Sequence, residues 1–360
     1  MAGFPSLSAF FPPTPEAYAF QLRVFQYFPV VTITQWFSSY HPAGKTSLPK
    51  SRLNIPGRIA WSLMELVGPV HLLYILFTLP PQVVHLTLAS LPLWHKIVAG
   101  LYVVHYFNRA IVNPLFVAPS ISPVRADIFL SAVVYNWFNS SCLGGWIVGY
   151  ANNVEGFSFK TDRPAAPSLS LVQCLLPYIG LVLFALGMMG NIRAERTLWR
   201  LRREEAHRRA VAAAAAAEKK DDANAQTKKN PYSKVYVIPP ARGLFRWILY
   251  PHYVCEWLEW LGYVLVGTAV YPSNISSTAS TSTAYGATTP TIRLAPWLVP
   301  FAALAEKLQL PLPLPALVFA VNNILTMLPQ ARRGRQWYVE RFGKDAVGGR
   351  AAAVPGVPFL

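Results

Sequence analysis

The sequence predicts an all-α integral membrane protein with about seven transmembrane helices. Of its 360 residues, 53% are hydrophobic and only 13% are charged, whereas a soluble domain carries about 25% charged residues. The apolar residues fall into seven blocks, most of them close to the ~20 residues that a membrane helix needs. The basic residues lie mainly in the connectors between these blocks. Composition, block length and charge placement therefore point to the same class.

The seven blocks lie near residues 19–37, 59–79, 97–117, 128–150, 169–190, 247–271 and 297–327. The first is the weakest, because it contains Arg23 and several polar residues. The last contains Pro311, Pro313 and Pro315, which predict a helix with a broken or interfacial start.

Alternate connectors are basic, and this pattern predicts the orientation. Most Lys and Arg residues fall in 38–58, 118–127, 191–246 and 328–360, while the intervening connectors are poor in charge. Because cytosolic loops are enriched in Lys and Arg, we expect the N-terminus outside and the C-terminus in the cytosol. The glycosylation sequon Asn274-Ile-Ser276 agrees, since this topology places it in the lumen.

The charge and the cysteines argue against two other classes of protein. The net charge of +16 is carried by connectors rather than interleaved with stacking aromatic residues, so we do not expect nucleic-acid binding. Cys142, Cys174 and Cys255 are far apart, and neither they nor the histidines have the spacing of metal ligands. No metal site is expected.

The chain divides into N-terminal membrane helices (1–190), a basic cytosolic connector (191–246) and a C-terminal membrane region with a cytosolic tail (247–360). The Ala-rich insert 210–229 has no aromatic residue and is typical of a solvated linker without chemistry.

The two ends of the connector differ from the insert. They combine basic residues with Asn191, Glu195 and Tyr236, a mixture that suits a polyanionic ligand such as a dinucleotide. Contact between these arginines and anionic lipid is the simpler alternative on composition alone. No GxGxxG follows a strand, so any dinucleotide would be held by the membrane bundle and its cytosolic loops.

Five segments, in order along the chain, carry a resemblance to a known family. They are RIAWSLMEL (58–66), LYVVHYFNR (101–109), GMMGNIRAERTLWRLR (187–202), GLFRWILYPHYVCEWLEWLGY (243–263), and RQWYVERFG (335–343) with a closing VPF. Together they resemble the steroid 5α-reductase family, whose C-terminal signature contains the Glu-x-x-Glu-Trp-x-Gly helix.

The resemblance implies a seven-helix, multi-pass reductase of the endoplasmic reticulum membrane. Such an enzyme transfers a hydride from NADPH to the β carbon of an enone. By the resemblance, Glu65 and Tyr106 are the catalytic pair that hydrogen-bonds the substrate carbonyl. The predicted cofactor-binding residues are Asn191, Glu195, Arg202, Arg242, His252, Glu256 and Tyr338. Glu259, one helical turn after Glu256, would brace the same wall of the pocket.

Three features depart from the family pattern. The family has Asn at the position of His252, and an Arg and a His at the positions of Gln330 and Gly334. The turn PPARG (239–243) is one residue longer than usual. The residues that we expect to supply the displaced charge are Arg242, Arg332, Arg333 and Arg335.

The chemistry of the catalytic pair follows from the reaction itself. Adding hydride to an activated C=C bond makes an enolate, so hydrogen-bond donors are needed at the carbonyl oxygen in a water-poor site. A phenol and a buried carboxylic acid can both donate there. Glu65 lies among apolar residues, so we expect desolvation to keep it neutral. The structural alternatives are an interhelical hydrogen bond for Glu65 and core packing for Tyr106.

Two functions of different classes remain open. The first is an NADPH-dependent reductase of a lipophilic enone, most simply a 3-oxo-Δ4 steroid or sterol, with a polyprenol or an enoyl thioester as close alternatives. The second is a membrane scaffold that kept the fold and lost cofactor binding. The expected partners are a lipophilic small molecule and membrane lipid, with no obligate protein partner.

Overall fold

The structure, a computed structural model, describes residues 4–38, 44–48, 50–83, 87–159, 170–218, 231–232, 235–272 and 289–357. It is mainly helical. Its helices are α1 (Pro15–Phe25), α2 (Phe28–Phe37), α3 (Gly57–Val83), α4 (Leu93–Phe107), α5 (Ala126–Ile147), α6 (Leu171–Glu218), α7 (Pro251–Gly267), α8 (Val299–Lys307), α9 (Leu314–Phe342) and α10 (Lys344–Val347). A π-helix (Asn108–Val117) continues α4.

Local sequence explains where several helices begin and end. In α1, Pro15 is the first residue and the Thr14 hydroxyl accepts a hydrogen bond from the backbone of Ala17, a common start for a helix. The predicted break in the last block is confirmed, because α8 ends at Lys307 and α9 begins at Leu314, after Pro311 and Pro313. Proline cannot donate a backbone hydrogen bond, so it favours a new helix start.

Among the described residues, three helices are long and apolar enough to cross a membrane. They are α3 over Gly57–Pro80, α6 over Leu171–Ala215 and α9 over Leu314–Phe342. The structure is therefore that of a helical protein with candidate membrane-spanning helices. The other predicted blocks also contain helices, but shorter ones: α1 and α2, α4 with the π-helix, α5 and α7.

Helix α6 is longer than its apolar block. The block ends near residue 190, but the helix continues without interruption to Glu218. The expected boundary between 190 and 191 therefore falls inside a helix. The first part of the Ala-rich insert belongs to the end of α6, where residues 210–215 are exposed, and residues 219–229 lie outside the described residues.

Helices α6 and α7 pack closely at glycines. A side chain at Gly187 would meet the backbone oxygen of Cys255 at 2.6 Å, and one at Gly262 would meet the backbone oxygen of Gly180 at 2.6 Å. Small residues allow such close packing between membrane helices. This contact fixes the position of Glu256 and Glu259 on α7 relative to Asn191 on α6.

The core contains a large aromatic centre. Tyr102, Trp146, Trp260, Tyr263 and Phe319 are each at most 1% exposed, and they bring α4, α5, α7 and α9 together. A short antiparallel ribbon, β1 (Asn54–Ile55) with β2 (Val124–Arg125), joins the starts of α3 and α5. A second cluster, which includes Leu249, Tyr250 and Tyr338, joins the start of α7 to the end of α9.

Candidate functional site

A buried ion-pair network links three helical segments at the centre of the bundle. Arg109 on the π-helix donates from Nε to Glu65 Oε1 of α3 at 2.9 Å and from Nη1 to Glu256 Oε2 of α7 at 3.1 Å. The planar guanidinium can bind two carboxylates at once. A predicted catalytic residue and a predicted cofactor-binding residue therefore share one arginine.

Glu256 is 2% exposed but is fully hydrogen-bonded. Besides Arg109, it accepts from Asn191 Nδ2 at 3.2 Å and from Asn323 Nδ2 at 3.4 Å. Asn191 Nδ2 also donates to the backbone oxygen of His252 at 3.0 Å. These contacts satisfy a carboxylate that would otherwise be very costly to bury.

Glu259 contacts a histidine of α4. It accepts a hydrogen bond from His105 Nδ1 at 2.8 Å, and the expectation that it braces the wall of Glu256 stays a prediction. His105 also lies against Trp260, with ring centroids 4.4 Å apart. Glu259 therefore connects α7 to α4 within the aromatic core.

Glu65 lies beside a cation that the apolar sequence around it does not reveal. The guanidinium of Arg109, which can only donate, lies 2.9 Å from Glu65 Oε1. The π-helix brings this cation to α3, and a hydropathy pattern does not reveal that geometry.

Tyr106 is joined to the backbone beside Glu65. Its hydroxyl donates to Asn136 Oδ1 of α5 at 3.0 Å, and Asn136 Nδ2 donates to the backbone oxygen of Met64 at 2.8 Å. Tyr106 and Asn136 are each 4% exposed. Asn136 therefore links Tyr106 to the residue that precedes Glu65 in α3.

Glu195 is tied to the π-helix that carries Arg109. It accepts from Asn113 Nδ2 at 2.8 Å, and Asn113 Oδ1 accepts from Trp199 Nε1 at 3.0 Å. Irregular π-helical turns are frequent at functional sites. Glu195 and Glu256 thus both contact the π-helix, and Asn191 contacts Glu256.

The remaining predicted residues lie outside this centre. Arg202 binds the backbone and hydroxyl oxygens of Ser120 at 2.9 and 2.8 Å, and the backbone oxygen of Tyr232 at 2.8 Å. Tyr338 lies in the second cluster, against Tyr250. Arg242 is exposed at the turn before Gly243, and the structure does not bring it into the network.

Sequence reasoning missed two residues that contact the predicted site residues. The motif LYVVHYFNR contains Arg109, to which the resemblance assigns no role, although a charge within an apolar block indicates function. Asn136, a polar residue inside the apolar block 128–150, gives the same kind of signal.

Comparison with known proteins supports the family resemblance. The family model described as 3-oxo-5-alpha-steroid 4-dehydrogenase matches residues 212–275, a range that includes the motif GLFRWILYPHYVCEWLEWLGY.

Relatives that match most of this chain include two that are named as steroid reductases. The chain is 28% identical to an uncharacterized protein of Schizosaccharomyces pombe, over 85% of each chain. It is 24% identical to the steroid 5-alpha-reductase DET2 of Solanum lycopersicum, over 91% of each chain. It is 23% identical to the 3-oxo-5-alpha-steroid 4-dehydrogenase 1 of Rattus norvegicus, over 84% of this chain and 80% of that protein. The resemblance to steroid 5α-reductases that the motifs indicate is thereby confirmed.

Proposed function

We propose that this chain is a membrane reductase that uses NADPH to reduce the C=C bond of a lipophilic enone, most simply a 3-oxo-Δ4 steroid or sterol. The observation that carries the proposal is the bridge made by Arg109 between Glu65 and Glu256. It connects a residue expected at the substrate with one expected at the cofactor. Similarity to proteins named as steroid reductases supports the same function.

The residues of the site suit a dinucleotide. Amide groups and carboxylates can hydrogen-bond to ribose hydroxyls, and cations can bind phosphates. His252 Nδ1 and Arg202 Nε are buried without a hydrogen-bond partner among the described residues, which leaves polar atoms available to a ligand. We assign Asn191, Glu195, Arg202, Glu256 and Tyr338 to cofactor binding.

When bound, NADPH supplies the hydride for the reduction. The protein must then stabilise the negative charge that appears on the substrate oxygen. The Tyr106 hydroxyl, now directed at Asn136, is the donor we assign to that oxygen. Glu65 Oε1 already accepts from Arg109, so Oε2 is the atom that can carry a proton toward the substrate.

We further propose that the chain spans the endoplasmic reticulum membrane seven times, with the N-terminus in the lumen and the C-terminus in the cytosol. The alternating basic connectors support this orientation. The substrate would enter from the bilayer, and the cofactor would enter from the cytosol.

A substrate panel tests the proposal. Membranes that contain the protein are incubated with NADPH and a 3-oxo-Δ4 steroid, a polyprenol or an enoyl thioester, and the products are identified by mass spectrometry. We expect reduction of the steroid and none by the Glu65→Ala/Tyr106→Phe double variant. Reduction of only the polyprenol or thioester would reassign the substrate. No reduction, together with no thermal stabilisation by NADPH, would leave the scaffold function.

A further inference from the structure

The amine of Lys45 lies among three aromatic rings at the end of α9. Its Nζ is 3.7 Å from the ring centroid of Tyr338, 5.0 Å from that of Tyr250 and 5.3 Å from that of Trp337. It donates a hydrogen bond to the Tyr250 hydroxyl at 2.9 Å. Among the described residues, no carboxylate lies within ion-pair distance of this amine.

Tyr250 takes the space that a side chain at position 334 would occupy. A Cβ atom built on Gly334 would collide with the Tyr250 hydroxyl oxygen. Tyr250 itself is only 7% exposed. The chain therefore places a phenol where another residue type at 334 would place its own side chain.

Three of the four arginines that the sequence offered for this region are engaged elsewhere, and the fourth, Arg242, is exposed at the turn before Gly243. Arg332 lies over the ring of Trp36, Arg333 donates to the backbone oxygen of Gln35, and Arg335 donates to the backbone oxygen of Arg350 at 2.8 Å. Lys45 is the cation that contacts Tyr250 and Tyr338. The ring of His252, whose Nδ1 is unpaired among the described residues, lies 5.5 Å from that of Tyr250.

We propose that Lys45 and Tyr250 form a phosphate-binding pair that holds an anionic group of the dinucleotide. This inference rests on the proposed function and names a part of its cofactor site. The Lys45 ammonium has N–H groups beyond the one given to Tyr250. The Tyr250 O–H has no acceptor among the described residues. A phosphate oxygen accepts from both kinds of donor.

The same chemistry could serve a phospholipid headgroup, since Lys45 belongs to a connector expected at the cytosolic face. The position of the pair favours the dinucleotide. The pair touches Tyr338, a predicted cofactor-binding residue, and Tyr250 is nearly enclosed. A headgroup site would be expected on an open surface.

The test measures ligand binding to the full chain purified in detergent. The variants are Lys45→Met, which keeps the stem and removes the charge, Lys45→Arg, which keeps the charge, and Tyr250→Phe. Lys50→Met is the matched control, because Lys50 is an exposed lysine of the same connector. The probes are NADPH, inorganic pyrophosphate and phosphatidylglycerol in mixed micelles.

We expect Lys45→Met to raise the Kd for NADPH by roughly ten- to hundredfold, the range for a lost hydrogen bond to a charged group. Tyr250→Phe should raise it by roughly three- to tenfold, as for a neutral donor. Lys45→Arg should lose less affinity for NADPH than Lys45→Met does. Lys50→Met should bind NADPH as tightly as the parent.

Each outcome decides between the alternatives. Equal NADPH binding by the parent, Lys45→Met and Tyr250→Phe would overturn the inference and leave the proposed function standing. Pyrophosphate binding that Lys45→Met abolishes, in a protein that does not bind NADPH, would support the phosphate site and refute the proposed function. Stabilisation by phosphatidylglycerol alone would overturn the inference in favour of a lipid headgroup.

Discussion

Arg109 explains how two carboxylates can lie in an apolar bundle. Its guanidinium binds Glu65 and Glu256 at 2.9 and 3.1 Å, so the three groups satisfy one another. Removing one partner of a buried ion pair leaves an uncompensated charge and costs about 3–5 kcal/mol. Arg109 therefore couples the folding of the centre to the geometry of the proposed site, and its own substitution would not separate the two.

Tyr106 offers a cleaner test, because phenylalanine keeps the ring and removes only the donor. We expect Tyr106→Phe to lower turnover by roughly 10²–10³, as for one oxyanion donor, while the Kd for NADPH stays near the parent value. Charge on the carbonyl oxygen appears only in the transition state, so binding should be unaffected. Turnover and NADPH titration are measured on the same preparation.

The control for that variant is Tyr74→Phe, since Tyr74 is 40% exposed on α3. Glu65→Gln, which keeps a hydrogen-bond donor, should lower turnover less than Glu65→Ala, which removes it. If the Tyr106→Phe and Glu65→Ala variants both turn over like the parent, the assignment of these two residues as the catalytic pair is wrong, even if the protein is a reductase.

Lys45 makes a prediction about pH. Burial among the rings lowers the pKa of Lys45 from 10.5 to about 7, whereas the unfolded chain keeps the ordinary value. Between these two pH values the unfolded chain binds a proton that the folded protein does not. The free energy of unfolding should therefore rise with pH from about 7 to 10.5, and Lys45 should add no slope below 7.

The measurement is the thermal midpoint in detergent across that pH window, for the parent, Lys45→Met and Lys50→Met. Lys45→Met should flatten the rise, and Lys50→Met should retain it. Parallel curves for the parent and Lys45→Met would show that the amine is not buried as the structure has it.

At the scale of elements, the glycines between α6 and α7 set the position of the site. A Cβ at Gly187 would lie 2.6 Å from the backbone oxygen of Cys255, whereas one at Gly100, in α4, would meet nothing within 4 Å. Alanine normally stabilises a helix by about 0.5–1 kcal/mol relative to glycine. Overpacking a close contact costs about 1–3 kcal/mol.

We therefore expect Gly187→Ala to lower the thermal midpoint and Gly100→Ala to leave it equal or higher. The two substitutions are chemically identical, so the difference isolates the packing between α6 and α7. NADPH binding should also weaken in Gly187→Ala, because α6 carries Asn191 and α7 carries Glu256. A Gly187→Ala variant as stable as Gly100→Ala would mean that the helices can separate at no cost.

For the insert 210–229 we predict that a large change has little effect on activity. Residues 210–215, near the end of α6, are exposed, and the Ala/Lys/Asp composition of the insert cannot build a binding site. Deleting it should leave the activity within a few-fold of the parent. Complete loss of activity in a deletion variant that still folds would identify this segment as functional.

The sequence predicts the helices better than their ends and their contacts. Helix α3 covers the whole of block 59–79 and α5 covers most of block 128–150, because apolar composition marks a helix that must be buried. It does not mark the end of α6, since the Ala, Leu, Arg and Glu residues that follow residue 190 favour helix outside a membrane too. The contact between Arg109 and Glu256 spans 147 positions of the chain, and a local pattern carries no information on it.

At the scale of the whole molecule, the four basic connectors meet one another. Arg58 binds the backbone oxygen of Ala118 at 2.7 Å, Arg202 binds Ser120, and the Lys45 amine lies 3.7 Å from the ring centroid of Tyr338. Arg350 of the tail donates to the backbone oxygen of Pro239 at 2.6 Å. The charge-poor connectors meet elsewhere, as in the 2.7 Å hydrogen bond from Asn153 to the backbone oxygen of Thr289. The proposed topology, in which two crossings separate successive basic connectors, expects this grouping.

The last prediction tests whether the basic connectors or the charge-poor connectors face the cytosol. Because Lys and Arg are retained on the cytosolic side, a tag placed after Leu360 should be digested by protease added to intact microsomes. A tag before Met1 should be digested only after detergent is added. Asn274, which like residues 358–360 lies outside the described residues, should be glycosylated in the same membranes and lose its glycan in an Asn274→Gln variant. A protected C-terminal tag would reverse the orientation, and it would then place the Lys45–Tyr250 pair in the lumen, away from cytosolic NADPH.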